Sequence, residues 1–159
     1  MSNSTHDKPD APHVDQAARI VVGVDGSAPS IEALRHGVRL AEALGVRLEA
    51  VSVWNNPPVF DAYPPADWSA EGEAREKLSA AAEAVFAGEP PSWFSTRTRR
   101  GTAAAALIAE SDGAEMLVLG SRGHGGFVGL LLGSVSRACA EHAHCPVLIV
   151  HYREKPATS

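Results

Sequence analysis

Three runs in this chain are too continuously apolar to lie on a surface: Ile20-Val21-Val22-Gly23-Val24, Met116 to Leu119, and Pro146 to Val150. Short apolar runs of this kind read as strands buried on both faces, the condition of a parallel sheet covered by helices. What lies between them is helical. Ile31, Leu34, Val38 and Ala41 keep one apolar face while Glu32, Arg35, Arg39 and Glu42 occupy the rest of the surface. Ser27 suits the N-cap of that helix, Pro29 its first turn, and Gly45 its end. Leu48 to Trp54 reads as a second strand, and Ser69 to Ala87 as an alanine-rich helix stopped by Gly88-Glu89-Pro90-Pro91. Phe94 to Arg100 is a strand with little apolar surface on either face, which suits a sheet edge. Gly101-Thr102 opens a short helix through Ala109, and Ser134 to His142 forms the last one.

Strands alternating with helices call for an α/β fold, a single doubly wound parallel sheet with right-handed crossovers and helices on both faces. Five strands in the order 3-2-1-4-5 put the polar third strand at an edge and the apolar first and fourth strands side by side. At 159 residues there is room for one such domain, from Arg19 to His151. Met1 to Ala18 has no hydrophobic period and reads as a disordered N-terminal tail, and residues 152–159 as a C-terminal one.

Composition excludes several functions. A formal charge of -5 argues against a nucleic-acid surface, and the short cluster Arg97, Arg99 and Arg100 reads as a solvated edge. No apolar run approaches the ~20 residues that span a bilayer, and Met1 to Ala18 lacks a secretory apolar stretch, so the cytoplasm is expected. Cys139 and Cys145 are too few for a disulfide framework. With His142 and His144 they match no common zinc spacing, and they read as buried thiols beside surface histidines. The loop Asn55 to Trp68, with Pro57, Pro58, Pro64 and Pro65, fits either a functional lid or a variable insertion.

In a doubly wound sheet the ligand crevice lies beyond the carboxyl ends of the strands, where the winding reverses. Here that is the gap between strands one and four, which leave as Asp25-Gly26-Ser27 and as Gly120-Ser121-Arg122-Gly123. The second turn continues through Gly125, Gly126 and Gly129 to Gly133-Ser134, the start of the last helix. Glycines let backbone N–H groups approach phosphate oxygens, and a helix N-terminus favours an anion through its dipole and unpaired donors. Ser134 adds a hydroxyl there and Arg122 a charge-assisted contact. No Gly-Lys-Ser/Thr occurs, and the glycines fall too late for the dinucleotide fingerprint, so another kind of phosphate cradle is required.

The spacing of Gly120, Gly123, Gly133 and Ser134 matches Gly-x2-Gly-x9-Gly-Ser/Thr, and in it the chain resembles the ATP-binding branch of the universal stress protein family. The resemblance runs from Arg19 to His151 and includes the opening Val-Asp-Gly-Ser and the closing Cys-Pro-Val-Leu-Ile-Val. It implies an adenine nucleotide alpha-hydrolase-like fold that binds ATP with Mg²⁺. By position it implies that Gly23 and Asp25 approach the adenosine, with Asp25 near the ribose or a bound Mg²⁺. Backbone groups around Val53 would read the adenine edge, and Gly120, Arg122, Gly123, Gly133, Ser134 and Val135 would hold the phosphates. It further implies a homodimer, often joined through the last strand, and a role in stress survival or dormancy. Pro146 to Val150, an apolar edge in a monomer, suits that junction.

Plainer roles stand beside these. Asp25 before Gly26 is also a good turn residue, Arg122 a good solvent-facing one, and Trp54 a packing residue close to the adenine position. His124 has no orienting carboxylate nearby in sequence and reads as a surface histidine. A nucleotide-dependent regulator is the leading function. A slow ATPase lacks an evident base for water, and an interaction module without nucleotide would have no use for the glycine motif.

Overall fold

The computed structural model describes residues 15–56, 65–122 and 132–154. Its elements are β1 (Asp15–Gly23), α1 (Ala28–Leu44), β2 (Val46–Trp54), α2 (Ala70–Phe86), β3 (Phe94–Arg100), α3 (Ala103–Glu110), β4 (Met116–Gly120), α4 (Ser134–His142) and β5 (Val147–Val150). All strand pairs are parallel, in the order β3-β2-β1-β4-β5. This is the doubly wound sheet expected, with the polar strand β3 at one edge and β5 at the other.

Side-chain alternation divides the core between the two faces. Ile20, Val22, Leu48, Ala50 and Val118 point to the side where Ala33 and Leu34 of α1 and Leu78 of α2 pack. Val21, Val51, Leu117 and Leu119 point to the other, against Leu107 of α3 and Cys139 of α4. The first two crossovers run one way along the sheet and the last two the other, so right-handedness puts the helix pairs on opposite faces.

Local chemistry sets most helix ends. The Ser27 side chain accepts from the Ser30 N–H at 3.3 Å, and Gly45 closes α1 in the left-handed region at φ 66°, its N–H on Ala41. Ser69 caps α2 in the same way. The stop of α2 differs from expectation. Ala87 itself, not the following glycine, takes the left-handed cap at φ 51° and donates its N–H to Glu83. Backbone closure there outweighs the Cβ crowding that a left-handed alanine suffers.

Strand β1 also begins earlier than its apolar run. Residues 15–18, expected within the tail, are strand: Asp15 pairs with Val46, the register shifts, and Arg19 pairs with Arg47. A backbone ladder needs no hydrophobic period, so the composition of this stretch hid it. Residues 1–14 lie outside the described set, as do 57–64, 123–131 and 155–159. Among the described residues no helix is long and apolar enough to cross a membrane.

The basic cluster at the β3 edge is more than a solvated fringe. Arg97 Nε stands 3.0 Å from the buried carboxylate of Glu49, and Arg99 pairs with the buried Glu110, which also faces Arg19 of β1 at 3.9 Å. Arg100 lies over the Trp54 ring, 5.7 Å from its centroid.

Candidate functional site

The carboxyl ends of β1 and β4 lie side by side, and the turns leaving them form the switch point. After β1, Gly26 takes φ 84°, a left-handed turn position that suits glycine. Asp25 Oδ1 accepts from the Ser27 N–H at 2.9 Å and from the Ser27 hydroxyl. The Ser30 hydroxyl donates to the Ser27 carbonyl. Asp25 is therefore tied into the start of α1, which fixes its carboxylate at the mouth of the crevice. The turn role and a ligand role are compatible here.

The glycines of the site divide by cause. A Cβ on Gly23 would meet Leu119 Cδ2 at 2.6 Å and Leu107 Cδ1 at 3.1 Å, so its bare backbone is needed for packing beneath α3. A Cβ on Gly120 would meet the backbone C and O of Pro29 at 2.9 Å, so the end of β4 and the first turn of α1 touch main chain to main chain. Gly133 is different. It is the N-cap of α4 in ordinary extended backbone, φ -66° and ψ 164°, a conformation open to any residue.

Hydrogen bonds hold the α4 N-terminus against the end of β4. The Gly133 N–H donates to the Ser121 carbonyl at 2.8 Å, the Ser121 N–H to Val150 at 2.9 Å, and the Ser136 hydroxyl to the Gly120 carbonyl at 2.7 Å. Ser121 and Ser136 are buried positioning residues that sequence reasoning passed over. Only the nearness of Ser136 to the motif could have pointed to it. No side chain caps α4, and among the described residues the first-turn N–H groups of Ser134, Val135 and Ser136 have no partner. Ser134 is exposed at this end, and Val135 packs into the core below.

Val53 sits near the end of β2. The last contact on its β1 side is the Val24 N–H to the Val51 carbonyl, 2.8 Å. Val53, two residues on, turns its backbone groups the same way, past the end of β1. The structure therefore brings Asp25, Val53, Gly133 and Ser134 to one end of the sheet. Arg122 leaves the same end of β4, one residue after Ser121; it is exposed and lines a depression with Pro29, Ser121 and residues 151–154. Gly123, His124 and the loop 57–64 fall outside the described residues.

The cysteines are unsuited to nucleophilic work. Burial pushes the Cys139 thiol up to about 11 and raises that of Cys145 as well.

Comparison with known proteins accords with this geometry. The family model described as the universal stress protein family matches residues 17–151. Universal stress protein Rv2623 of Mycobacterium tuberculosis is 35% identical over 139 residues, covering 87% of this chain and 46% of that protein. The chain thus spans about half the length of the curated relatives it matches first. A solved universal stress protein in complex with cAMP has a TM-score of 0.65 at 27% identity, covering 86% of this chain and 98% of that one. The universal stress protein of Archaeoglobus fulgidus in complex with dAMP has a TM-score of 0.58 at 19% identity, with 86% and 98% covered, and supports the fold alone. From residue 17 to residue 151 the motif, the sheet order and the relatives agree, and the chain belongs to the universal stress protein family.

Proposed function

We propose that this chain binds an adenine nucleotide, ATP with Mg²⁺, at the switch point and acts as a nucleotide-dependent regulator in the stress response. The observation that carries the reading is Gly133. Neither its backbone conformation nor any cap on α4 calls for a glycine, and the N–H groups just beyond it are unpartnered among the described residues. A missing side chain at an uncapped helix N-terminus leaves room for phosphate oxygens against those donors. The cAMP bound to the solved relative at 27% identity supports an adenine nucleotide as the occupant.

Gly133, Ser134 and Val135 would hold phosphate oxygens, with Gly123 as the motif's remaining member. Gly120 serves the same site by letting α1 and β4 close up, and Gly23 by letting α3 seat. The backbone of Val53 would read the base edge. Among the described residues no group of three His, Cys, Asp or Glu side chains could hold a metal ion by itself. Mg²⁺ fits instead as a cation carried on the phosphates, with Asp25 as its one protein carboxylate, the usual manner for this ion. Mg²⁺ would offset phosphate charge; the residues named here bind and orient.

Strand β5 pairs only with β4 among the described strands, and Val147, Leu148 and Ile149 are partly exposed. A homodimer through this edge would cover it, and would place a partner where occupancy of the α4 N-terminus can be sensed. A cytoplasmic regulator of this kind needs no catalytic base.

Gly133→Val tests the reading, because the backbone there accepts valine without strain. We expect ATP affinity to fall at least about tenfold through loss of phosphate contacts. The melting temperature should stay within about 3 °C. Unchanged affinity would refute the placement of the phosphates.

A further inference from the structure

The outer strands β2 and β3 are covered unequally. Helix α2 packs on β3 from one face of the sheet, while on the other face α3 packs on β2 and leaves Ser95, Arg97 and Arg99 of β3 exposed. Arg47 and Glu49 of β2 and Arg19 of β1 continue this second face inwards, with Arg19 in register with Arg47, and Glu49 with Ser95.

Neighbouring strands lie about 4.8 Å apart, so register partners send their side chains out side by side. Arg19 and Arg47 are therefore two like charges on adjacent strands, an arrangement that disfavours the sheet unless it is answered. Arg19 is answered by Glu110, through its carboxylate and its backbone carbonyl. The Arg47 side chain has no hydrogen-bond or ion-pair partner among the described residues.

Hydrogen bonding gives an independent sign. Among the described residues three buried side-chain atoms lack a hydrogen bond: Arg19 Nη1, Arg47 Nε and Glu49 Oε1. All three belong to this face. Glu49 is only 5% exposed, and Arg97 Nε brings its charge to 3.0 Å from Oε1 without making the bond. Two unanswered donors and one unanswered acceptor call for an occupant that carries both functions.

We propose that this face is a docking surface for an acidic peptide segment of a partner protein. Carboxylates of the segment pair with Arg47 and Arg97, and one of its backbone N–H groups donates to Glu49. Charge favours such an occupant. Four arginines, at 19, 47, 97 and 99, stand against the two carboxylates of Glu49 and Glu110, a local positive excess on a chain of formal charge -5. A second copy meeting this face about a two-fold axis would set arginine against arginine. A phosphodiester backbone brings acceptors alone and leaves Glu49 unanswered. The surface is also separate from the nucleotide crevice: Arg47 stands one residue into β2, at the opposite end of that strand from Val53.

The test is fluorescence anisotropy of a labelled hexamer of glutamate titrated with the full chain, beside a labelled hexamer of uridylate. We expect saturable binding of the glutamate hexamer with Kd below about 200 µM at low salt, weakened several-fold at about 0.15 M. Arg47→Gln should weaken it by at least about fivefold. The same variant should keep its Tm within about 2 °C, because the Arg47 side chain has no partner in the chain to lose. Saturating ATP with Mg²⁺ should leave the peptide affinity unchanged. Absence of saturable binding below about 2 mM would overturn the proposal, as would equal affinity in Arg47→Gln. Uridylate bound as tightly as glutamate would overturn it in favour of a nucleic-acid surface. Displacement by ATP would overturn it by placing the peptide in the crevice, while leaving the nucleotide site standing.

Discussion

Gly120→Ala separates the two reasons a glycine can stand in the Gly-x2-Gly-x9-Gly-Ser motif: close packing of the backbone, or the proposed contact with phosphate. Its new Cβ would fall 2.9 Å from the backbone C and O of Pro29 and from the Pro29 Cβ, inside any real carbon contact. None of these atoms is the end of a flexible side chain, and the first turn of α1 is fixed by the Ser27 cap and by burial of Ala33 and Leu34. The strain must therefore be shared between the end of β4 and the α1 N-terminus. Insertion of a methyl group into such a contact costs about 1–3 kcal/mol. In a domain of this size that lowers Tm by roughly 3–10 °C. Urea unfolding followed by circular dichroism measures the loss. The slope of the transition should be unchanged, since the surface exposed on unfolding stays the same. A variant within about 0.5 kcal/mol of the parent would refute the close contact, and with it the packing explanation of this glycine.

Other outcomes follow from the same structure. Ala87→Gly should stabilise the chain by about 0.5–1 kcal/mol in thermal melts, because it relieves the left-handed alanine at φ 51° that ends α2; a loss of stability would show that the cap is wrongly described. Glu110→Gln leaves Arg19 and Arg99 facing a neutral group, and urea unfolding should show a loss of roughly 2–3 kcal/mol, discounted because Arg99 is half exposed; a loss below about 0.5 kcal/mol would mean that solvent already satisfies both arginines. Burial raises the Cys139 thiol from an ordinary 9.0 to about 11, so the unfolded chain gives up this proton first. Stability is then fully retained below pH 9.0 and declines as pH rises to about 11, by at most roughly 2–3 kcal/mol. Cys139→Ala should flatten that decline, and an identical pH slope in the variant would contradict it.

The strand runs and the caps at Ser27 and Gly45 were legible in the sequence because their causes are local. A β-branched run, a hydroxyl two residues after the turn aspartate, and a glycine after the last apolar helical position each act within a few residues. The edge position of β3 was legible for the same reason, through its missing apolar face. What stayed hidden depends on distant partners. Glu110 reads as one more polar helix residue until Arg19, 91 residues away, is brought beneath it. Residues 15–18 join the sheet through backbone pairing, which leaves no side-chain pattern to read. The motif pointed to the switch point, but not to the fact that Gly120 belongs to the packing of α1 whereas Gly133 leaves an uncapped helix end open.

The central claim is that the α4 N-terminus, beginning at Gly133, holds the phosphates of an adenine nucleotide. Calorimetric titration of nucleotide-free protein with ATP, ADP, AMP, cAMP and GTP in the presence of Mg²⁺ tests it most directly. Saturable binding of adenine nucleotides in preference to GTP, strongest for ATP and without ADP released over the titration, is the result the account requires. Absence of binding by any of the five would contradict it and leave a nucleotide-free interaction module as the function of this fold.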